Sequence, residues 1–196
     1  MLGLKGHVRP ANRGLDGLRD TEAMQRAAES EHRQRRALWA ALVLMAVLST
    51  LLTSVSILVA PVPAGAELQL MFANPLQLAV MQAMILTMGA GLIHAVGTKF
   101  GGKGNFAGAV ALIAWIEFIL SLMQIVQLVA LVVMPPLADV IGVMGLGVFL
   151  WLLSQFVTEL HGFANVWKVF GAIIVTGLGV SFAVAMVLVS IFGVGV

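Results

Sequence analysis

The chain has 196 residues, of which 60% are hydrophobic and only 10% are charged, and its mean hydropathy is +1.03. A soluble globular domain is about 25% charged, so this composition excludes that class and indicates a membrane protein. The formal net charge is only +2, so we expect no nucleic-acid partner, and the absence of cysteine excludes disulfides, thiolate metal sites and cysteine nucleophiles.

The first 36 residues form a polar arm ahead of the membrane part of the chain. They hold 13 of the 20 charged side chains, and the arm is predicted to be cytoplasmic and partly helical. Residues 1–20 contain several glycines and Pro10 without an apolar period, which predicts a flexible segment. A helix is predicted to begin at Asp20 or Thr21, because either residue can cap one and no breaker follows before the membrane.

The remaining residues, 37–196, are predicted to form an all-α, polytopic membrane domain. A helix needs about 20 apolar residues to cross a bilayer, and five runs are long enough. Proline or glycine occurs at each break between them, and the paired prolines Pro135 and Pro136 mark the third break. The predicted spans are 37–60, 76–96, 108–134, 140–160 and 167–192.

The orientation of the spans follows from their flanking lysines and arginines. All eleven fall on one side of the predicted topology, and the loops 61–75 and 135–139 and the tail after the last span have none. The positive-inside rule therefore predicts a cytoplasmic N-terminus and an outside C-terminus, with a bacterial inner membrane as the expected location. Trp39 and Trp167 occupy helix ends on the cytoplasmic side, as interfacial anchors do.

Glu117 is the leading candidate for chemistry inside the membrane. It lies about 15 Å into the third span, where a charged carboxylate costs at least about 2.5 kcal/mol. Ser121 and Gln124 share its helix face, and Trp151 and Thr176 are expected at its depth, which predicts a buried polar cluster. The cluster is either an ion-linked site or a protonated glutamate that fixes helix register. The second interpretation is favoured because no other ionisable group lies at that depth.

Other polar and small residues in the spans are predicted to join helices together. Interhelical hydrogen bonds are expected of the amides of Gln82, Gln127 and Gln155. Close helix packing is expected at Gly91 and Ala95, at Gly177, Ser181 and Ala185, and at Gly142, Gly145 and Gly147, and these faces would also permit a homo-oligomer.

The cytoplasmic face is predicted to be a docking surface or an ordinary solvated interface. Residues 97–104 match the first seven positions of a P-loop, but Gly104 replaces the serine or threonine that binds magnesium, so a flexible turn facing the lipid headgroups is predicted. Anionic lipid and an unidentified membrane or cytoplasmic protein are the expected partners. The predicted interface residues are Arg33, Arg35, Arg36, Lys99, Lys103, Glu159, His161 and Lys168.

The sequence resembles the short bacterial form of the Yip1 family over residues 37–196. The resemblance is carried by Phe100–Phe106 leading into Ala114–Phe118, by the paired prolines at 135 and 136, and by Leu160–Ala164 leading into Lys168–Phe170. It implies five spans with a cytoplasmic N-terminus. Eukaryotic relatives act in vesicle traffic and bind Rab GTPases and one another, whereas the bacterial form has no agreed activity. The arm of this chain matches no Rab-binding segment.

Together these features predict a non-catalytic membrane protein that binds partners or organises membrane through its cytoplasmic face. The alternative is a small transporter or channel component that uses Glu117. We expect no enzyme activity, cofactor or metal, because no nucleophile, ligand set or acid/base pair shares one depth.

Overall fold

The computed structural model describes residues 11–59 and 74–192. These ranges form five α-helices and no strand, and all five helices are long and apolar enough to cross a membrane. The helices are α1 Ala11–Val59, α2 Pro75–Lys99, α3 Phe106–Val133, α4 Pro135–His161 and α5 Val166–Phe192. The all-helical five-span fold is therefore confirmed. Residues 1–10, most of the predicted loop 61–75 and the tail 193–196 lie outside the described residues.

Helix α1 is much longer than a membrane span. Its 49 residues extend over about 74 Å, more than twice the thickness of a hydrocarbon core. Residues 11–20 are helical, so the expected start at Asp20 or Thr21 is wrong. The segment from Asn12 to Asp20 alternates two glycines with leucines and arginines, and isolated glycines cost a helix only about 1 kcal/mol each.

An asparagine caps the N-terminus of three of the other helices. The Asn74 side chain accepts a hydrogen bond from the backbone N–H of Leu76 (3.0 Å), and the Asn105 side chain accepts one from Gly108 (2.7 Å). Asn165 caps α5 in the same way by accepting from Trp167 and Lys168. Each cap satisfies backbone donors that have no partner inside the helix.

The break between α3 and α4 is shorter than predicted. Only Met134 is non-helical, and Pro135 is already the first residue of α4, so the segment 135–139 is helix and not loop. A residue that precedes proline avoids the helical conformation, which ends α3. Proline is well suited to the first position of a helix because that position needs no N–H donor.

The helices pack around α3 in a bundle with one peripheral member. Helix α3 contacts α1, α2 and α4, and α1 and α2 also contact each other. Helix α5 packs on α4, and in the described part of the chain its backbone does not come close to α1, α2 or α3. The core is formed by Leu42 and Ala46 of α1, Leu86 and Ala90 of α2, Ala109, Val110, Ile113 and Ile116 of α3, Leu153 and Val157 of α4, and Val169 of α5.

The small residues predicted at helix contacts lie partly elsewhere. Ala95 is exposed and a side chain at Gly91 would meet open space, whereas Ala90, one position before Gly91, is fully buried. Gly177, Ser181 and Ala185 are exposed on α5. Gly142 and Gly145 of α4 do face α3, because an added Cβ would meet Gln127 or Met123 there, whereas Gly147 faces open space. The spacing of small residues therefore predicted the helix contact of α4 but not the buried faces of α2 and α5.

Candidate functional site

Glu117 lies inside the helix bundle and has a partner on the neighbouring helix. The side-chain amide of Gln82 on α2 donates a hydrogen bond to one carboxyl oxygen of Glu117 on α3, at 3.0 Å. Both side chains are partly buried. This bond places the polar group of Gln82 opposite the carboxyl group, and it links α2 to α3 in the middle of the membrane.

Glu117 lines a small cavity between α1, α2 and α3. The cavity has a volume of about 260 Å³. Its polar lining comes from Ser49, Thr50 and Thr53 of α1, Gln82 of α2, and Glu117, Ser121 and Gln124 of α3. The cavity is large enough for water, and the lining supplies donors and acceptors to hold it.

The polar groups of the cavity differ in how far they are already satisfied. Thr50 donates to the carbonyl of Ala46 at 2.7 Å, and the Gln124 amide donates to the hydroxyl of Thr53 at 3.2 Å. The Ser121 hydroxyl, one helical turn from Glu117, is buried and has no hydrogen-bond partner in the described structure. The lining therefore contains an unsatisfied hydroxyl on the same helix face as the carboxyl group.

The structure brings together only part of the predicted polar cluster. Glu117, Ser121 and Gln124 line one cavity, as their spacing along α3 requires. Trp151 is 51% exposed and packs edge-on against Trp167, and Thr176 lines a separate groove beside α5. Depth alone placed these two residues with Glu117. Trp151 lies on an exposed face of α4 and does not line the cavity, and the backbone of α5, which carries Thr176, does not come close to α3.

The α1 side of the cavity was missed by sequence reasoning. Thr53 follows the adjacent Ser49 and Thr50 by four and three residues within an apolar span, so the three share one side of the helix. Polar side chains in a transmembrane helix face other helices and not lipid, so this spacing was a usable signal. Ser49 and Thr50 are buried, in agreement with that rule.

Two of the three predicted interhelical amides bond to a neighbouring helix. Gln82 bonds to Glu117, and the Gln127 amide donates to the carbonyl of Ala138 on α4 at 3.2 Å. Gln127 also lies beside Gly142, where an added Cβ would come within 2.9 Å of its amide nitrogen. Gln155 is half-buried and makes no such bond in the ranges described.

The second candidate site is the basic end of the bundle, defined by Lys99, Lys103 and Lys168. Lys99 ends α2, Lys103 lies between α2 and α3, and Lys168 lies in the first turn of α5. All three are exposed, and the same end carries the exposed Glu159 near the end of α4.

The part of α1 ahead of the membrane extends from this end. Every side chain from Thr21 to Ala37 is exposed, including Arg33, Arg35 and Arg36. The ion pairs there join residues four apart on the same helix: Arg26 with Glu22 at 3.3 Å and Arg33 with Glu29 at 3.8 Å. Such exposed pairs contribute little to stability, so the side chains stay available for other contacts.

His161 does not belong to the exposed interface, which corrects its predicted place there. It is 2% exposed, and its ring stacks on Phe163 with a centroid distance of 5.6 Å. Its Nδ1 lies 3.2 Å from the carbonyl of Val157, and its Nε2 has no hydrogen-bond partner in the described structure. Position near a helix end suggested exposure, but the loop between α2 and α3 covers this side chain.

Three glycines enclose His161 and form what we call the glycine cage, Gly97, Gly102 and Gly104. A Cβ at Gly97 would overlap the imidazole, and one at Gly102 or Gly104 would approach it to 2.5 or 2.9 Å. The Lys103 backbone N–H also donates to the carbonyl of His161 at 3.1 Å. The glycine-rich loop, predicted to be a flexible turn facing lipid, thus packs tightly against the end of α4.

These observations define a class: a multi-pass helical membrane protein with a partly buried carboxyl group and a basic end. Within residues 11–59 and 74–192, no group of three histidine or acidic side chains is placed to hold a metal ion. The Yip1 domain matches the chain over residues 21–189, most of its length, and the chain therefore belongs to the Yip1 family. It matches no curated protein and no solved structure significantly.

Proposed function

We propose that this protein is a non-catalytic binding protein that recruits a partner protein to the membrane through the exposed arm of α1. The observation that carries the proposal is the continuous helix from Thr21 to Ala37, whose side chains are all exposed. A helix that is polar on all sides gains no stability by packing on its own chain. Its charged surface is suited to a partner of complementary charge.

The basic cluster at the membrane end of this arm gives the partner a second set of contacts. Arg33, Arg35 and Arg36 lie within one turn of the apolar segment, and the three lysines of the basic end belong to the same side of the bundle. We place this side in the cytoplasm of a bacterial cell, because the positive-inside rule assigns basic flanks to that side. Anionic lipid headgroups contribute there too, at about 1 kcal/mol per basic residue.

Neutralising the basic cluster is expected to release the partner. In a tagged pull-down from native membranes in mild detergent, the protein should recover a stoichiometric partner. A variant without residues 1–36 should recover none, and Arg33→Gln, Arg35→Gln and Arg36→Gln together should recover at least tenfold less. The matched control is Arg9→Gln, Arg13→Gln and Arg19→Gln, which removes the same charge from positions that precede the Thr21–Ala37 segment in the sequence and should keep the partner. Recovery that is equal for all four proteins would contradict the proposal.

A specific observation supports a second function, transport of a proton or small cation past Glu117. The carboxyl group faces a polar cavity inside the membrane, where ionisable groups commonly mark ion pathways. Among the residues that line this cavity, however, Glu117 is the only ionisable one, and a relay usually needs another at similar depth. Transport therefore ranks second to partner binding.

Liposome flux separates the two functions. If the protein conducts protons, reconstituted liposomes should acidify faster than protein-free liposomes, and Glu117→Gln should remove at least nine-tenths of the difference. Glu159→Gln is the control, because it makes the same chemical change at an exposed position of the basic end. A flux equal to that of protein-free liposomes would eliminate transport, and Glu117→Gln would then leave partner recovery unchanged.

A further inference from the structure

A large apolar groove lies between α2, α4 and α5, apart from the polar cavity of Glu117, and it reaches the basic end at Lys168. Its volume is about 830 Å³, within the range of small-molecule sites. The walls are mainly aliphatic: Leu92 and Val96 of α2, Leu153 and Val157 of α4, and Val169 and Ile173 of α5 contribute to them. No aspartate or glutamate lines it.

The groove opens sideways towards the bilayer. Helix α5 packs on α4, and among the residues described its backbone does not come close to that of α2, so the α2 and α5 walls are separated along their length. A molecule dissolved in the membrane can therefore enter from the side without crossing a polar surface. The apolar walls give such a molecule no penalty for leaving the lipid phase.

The length of the groove matches one leaflet. On α5 its lining extends from Lys168 to Ser181, 13 residues or about 20 Å, and on the other side it extends from Phe100 to Gly89, about 16 Å. Half of a hydrocarbon core is about 15 Å thick. A lipid acyl chain that starts at the basic end would follow the groove to the middle of the membrane.

The mouth of the groove at the basic end carries a positive charge. Lys168 lines the groove there, is exposed, and forms no ion pair in the described part of the chain. Asn165, the capping residue of α5, lies beside it. A lysine at the headgroup level above an apolar channel is complementary to a phospholipid with a negative headgroup.

We infer that this groove binds an anionic phospholipid from the leaflet at the basic end, with one acyl chain between α2 and α5 and the phosphate at Lys168. The inference goes beyond the proposed partner binding, because the groove lies on α2, α4 and α5 and does not involve the arm of α1. Its failure would leave the proposal for the arm unchanged.

Two glycines of α5 provide a matched pair of variants for the test. Gly177 lines the groove and Gly171 does not, and a Cβ added at either position meets nothing within 4 Å. Gly177→Phe therefore fills the groove with a ring, while Gly171→Phe adds the same ring to the same helix outside it. Lys168→Ala removes the charge at the mouth, and Arg19→Ala is its control, because Arg19 is an exposed basic residue outside the groove and outside the basic end.

The full-length protein is incorporated into nanodiscs of equal parts phosphatidylglycerol and phosphatidylcholine, released into detergent and analysed by native mass spectrometry. We expect one retained phosphatidylglycerol per protein. Lys168→Ala should weaken retention about fivefold, and Gly177→Phe should abolish it, whereas Arg19→Ala and Gly171→Phe should retain the lipid. Glycerol 3-phosphate, which has the charge but no acyl chain, should not displace it.

Three results would overturn the inference. One is equal lipid retention by Gly177→Phe and Gly171→Phe, which would place the lipid elsewhere on the surface. Another is equal retention of phosphatidylcholine and phosphatidylglycerol by the unchanged protein, which would remove the role of Lys168. The third is a dimer that Gly177→Phe alone dissociates, which would make a second copy of the chain the occupant.

Discussion

Replacing Gly97 by alanine is expected to lower the melting temperature of the detergent-solubilised protein by about 8 °C. The new methyl group would overlap the imidazole of His161, which is itself held by Phe163 and by the loop that contains Lys103. Overpacking of a buried site costs about 3 kcal/mol at the upper end of the usual range, and a chain of this size loses about 2 to 4 °C per kcal/mol. Size-exclusion chromatography after heating measures the change.

Gly91 is the control for Gly97, because it lies on the same helix and has open space around it. Gly91→Ala should melt at or slightly above the temperature of the unchanged protein, since alanine favours a helix over glycine by about 1 kcal/mol. Gly97→Ala combined with His161→Ala should cost less than the sum of the two single changes, because the new methyl group occupies space that the ring vacates. Equal melting temperatures of Gly97→Ala and Gly91→Ala would show that the glycine cage does not pack tightly around His161.

Replacing Ala90 by leucine is the second change with a large expected effect. Ala90 is 0% exposed and belongs to the core that also contains Ala109, another fully buried alanine. Three additional carbons at this position must push α2 away from its neighbours. We expect a loss of about 3 kcal/mol, or a fall of 6 to 12 °C in melting temperature, by the same heating assay.

Ala95 supplies the comparison for Ala90. It lies five residues further along α2 and is exposed, so Ala95→Leu should change the melting temperature by less than about 2 °C. If Ala95→Leu destabilises the protein as strongly as Ala90→Leu, a second copy of the chain or a partner covers that face in detergent. If neither change lowers the melting temperature, α2 does not pack as tightly around Ala90 as described above.

The fold could be predicted from the sequence because membrane spans are encoded locally. Length, hydropathy and breaker residues specify each span without reference to any other span. The exact ends of the helices were harder to predict from the sequence. The paired prolines at 135 and 136 predicted a break, but the same residues are well suited to the first turn of a helix, so α4 starts where a loop was expected.

The candidate sites could be predicted only where one helix determines them. Glu117, Ser121 and Gln124 share a face of α3, and that face follows from their spacing. The position of Trp151 depends on which face of α4 packs against α3, and that of Thr176 depends on which helices are neighbours; neither follows from residue spacing within one helix. The glycine cage is a similar case, because His161 lies more than fifty residues after Gly104 and its buried state depends on tertiary contact.

The length and continuity of helix α1 have a mechanical consequence. Between Leu18 and Val59 it contains no glycine or proline, so its arm and its membrane segment form one stiff rod. From Leu18 to Arg36 this rod measures about 27 Å, and a tilt of 10° displaces its far end by about 5 Å. A load applied to the far end of the arm thus becomes a torque on the α1 face that packs against α3 and carries Ser49 and Thr50 of the polar cavity.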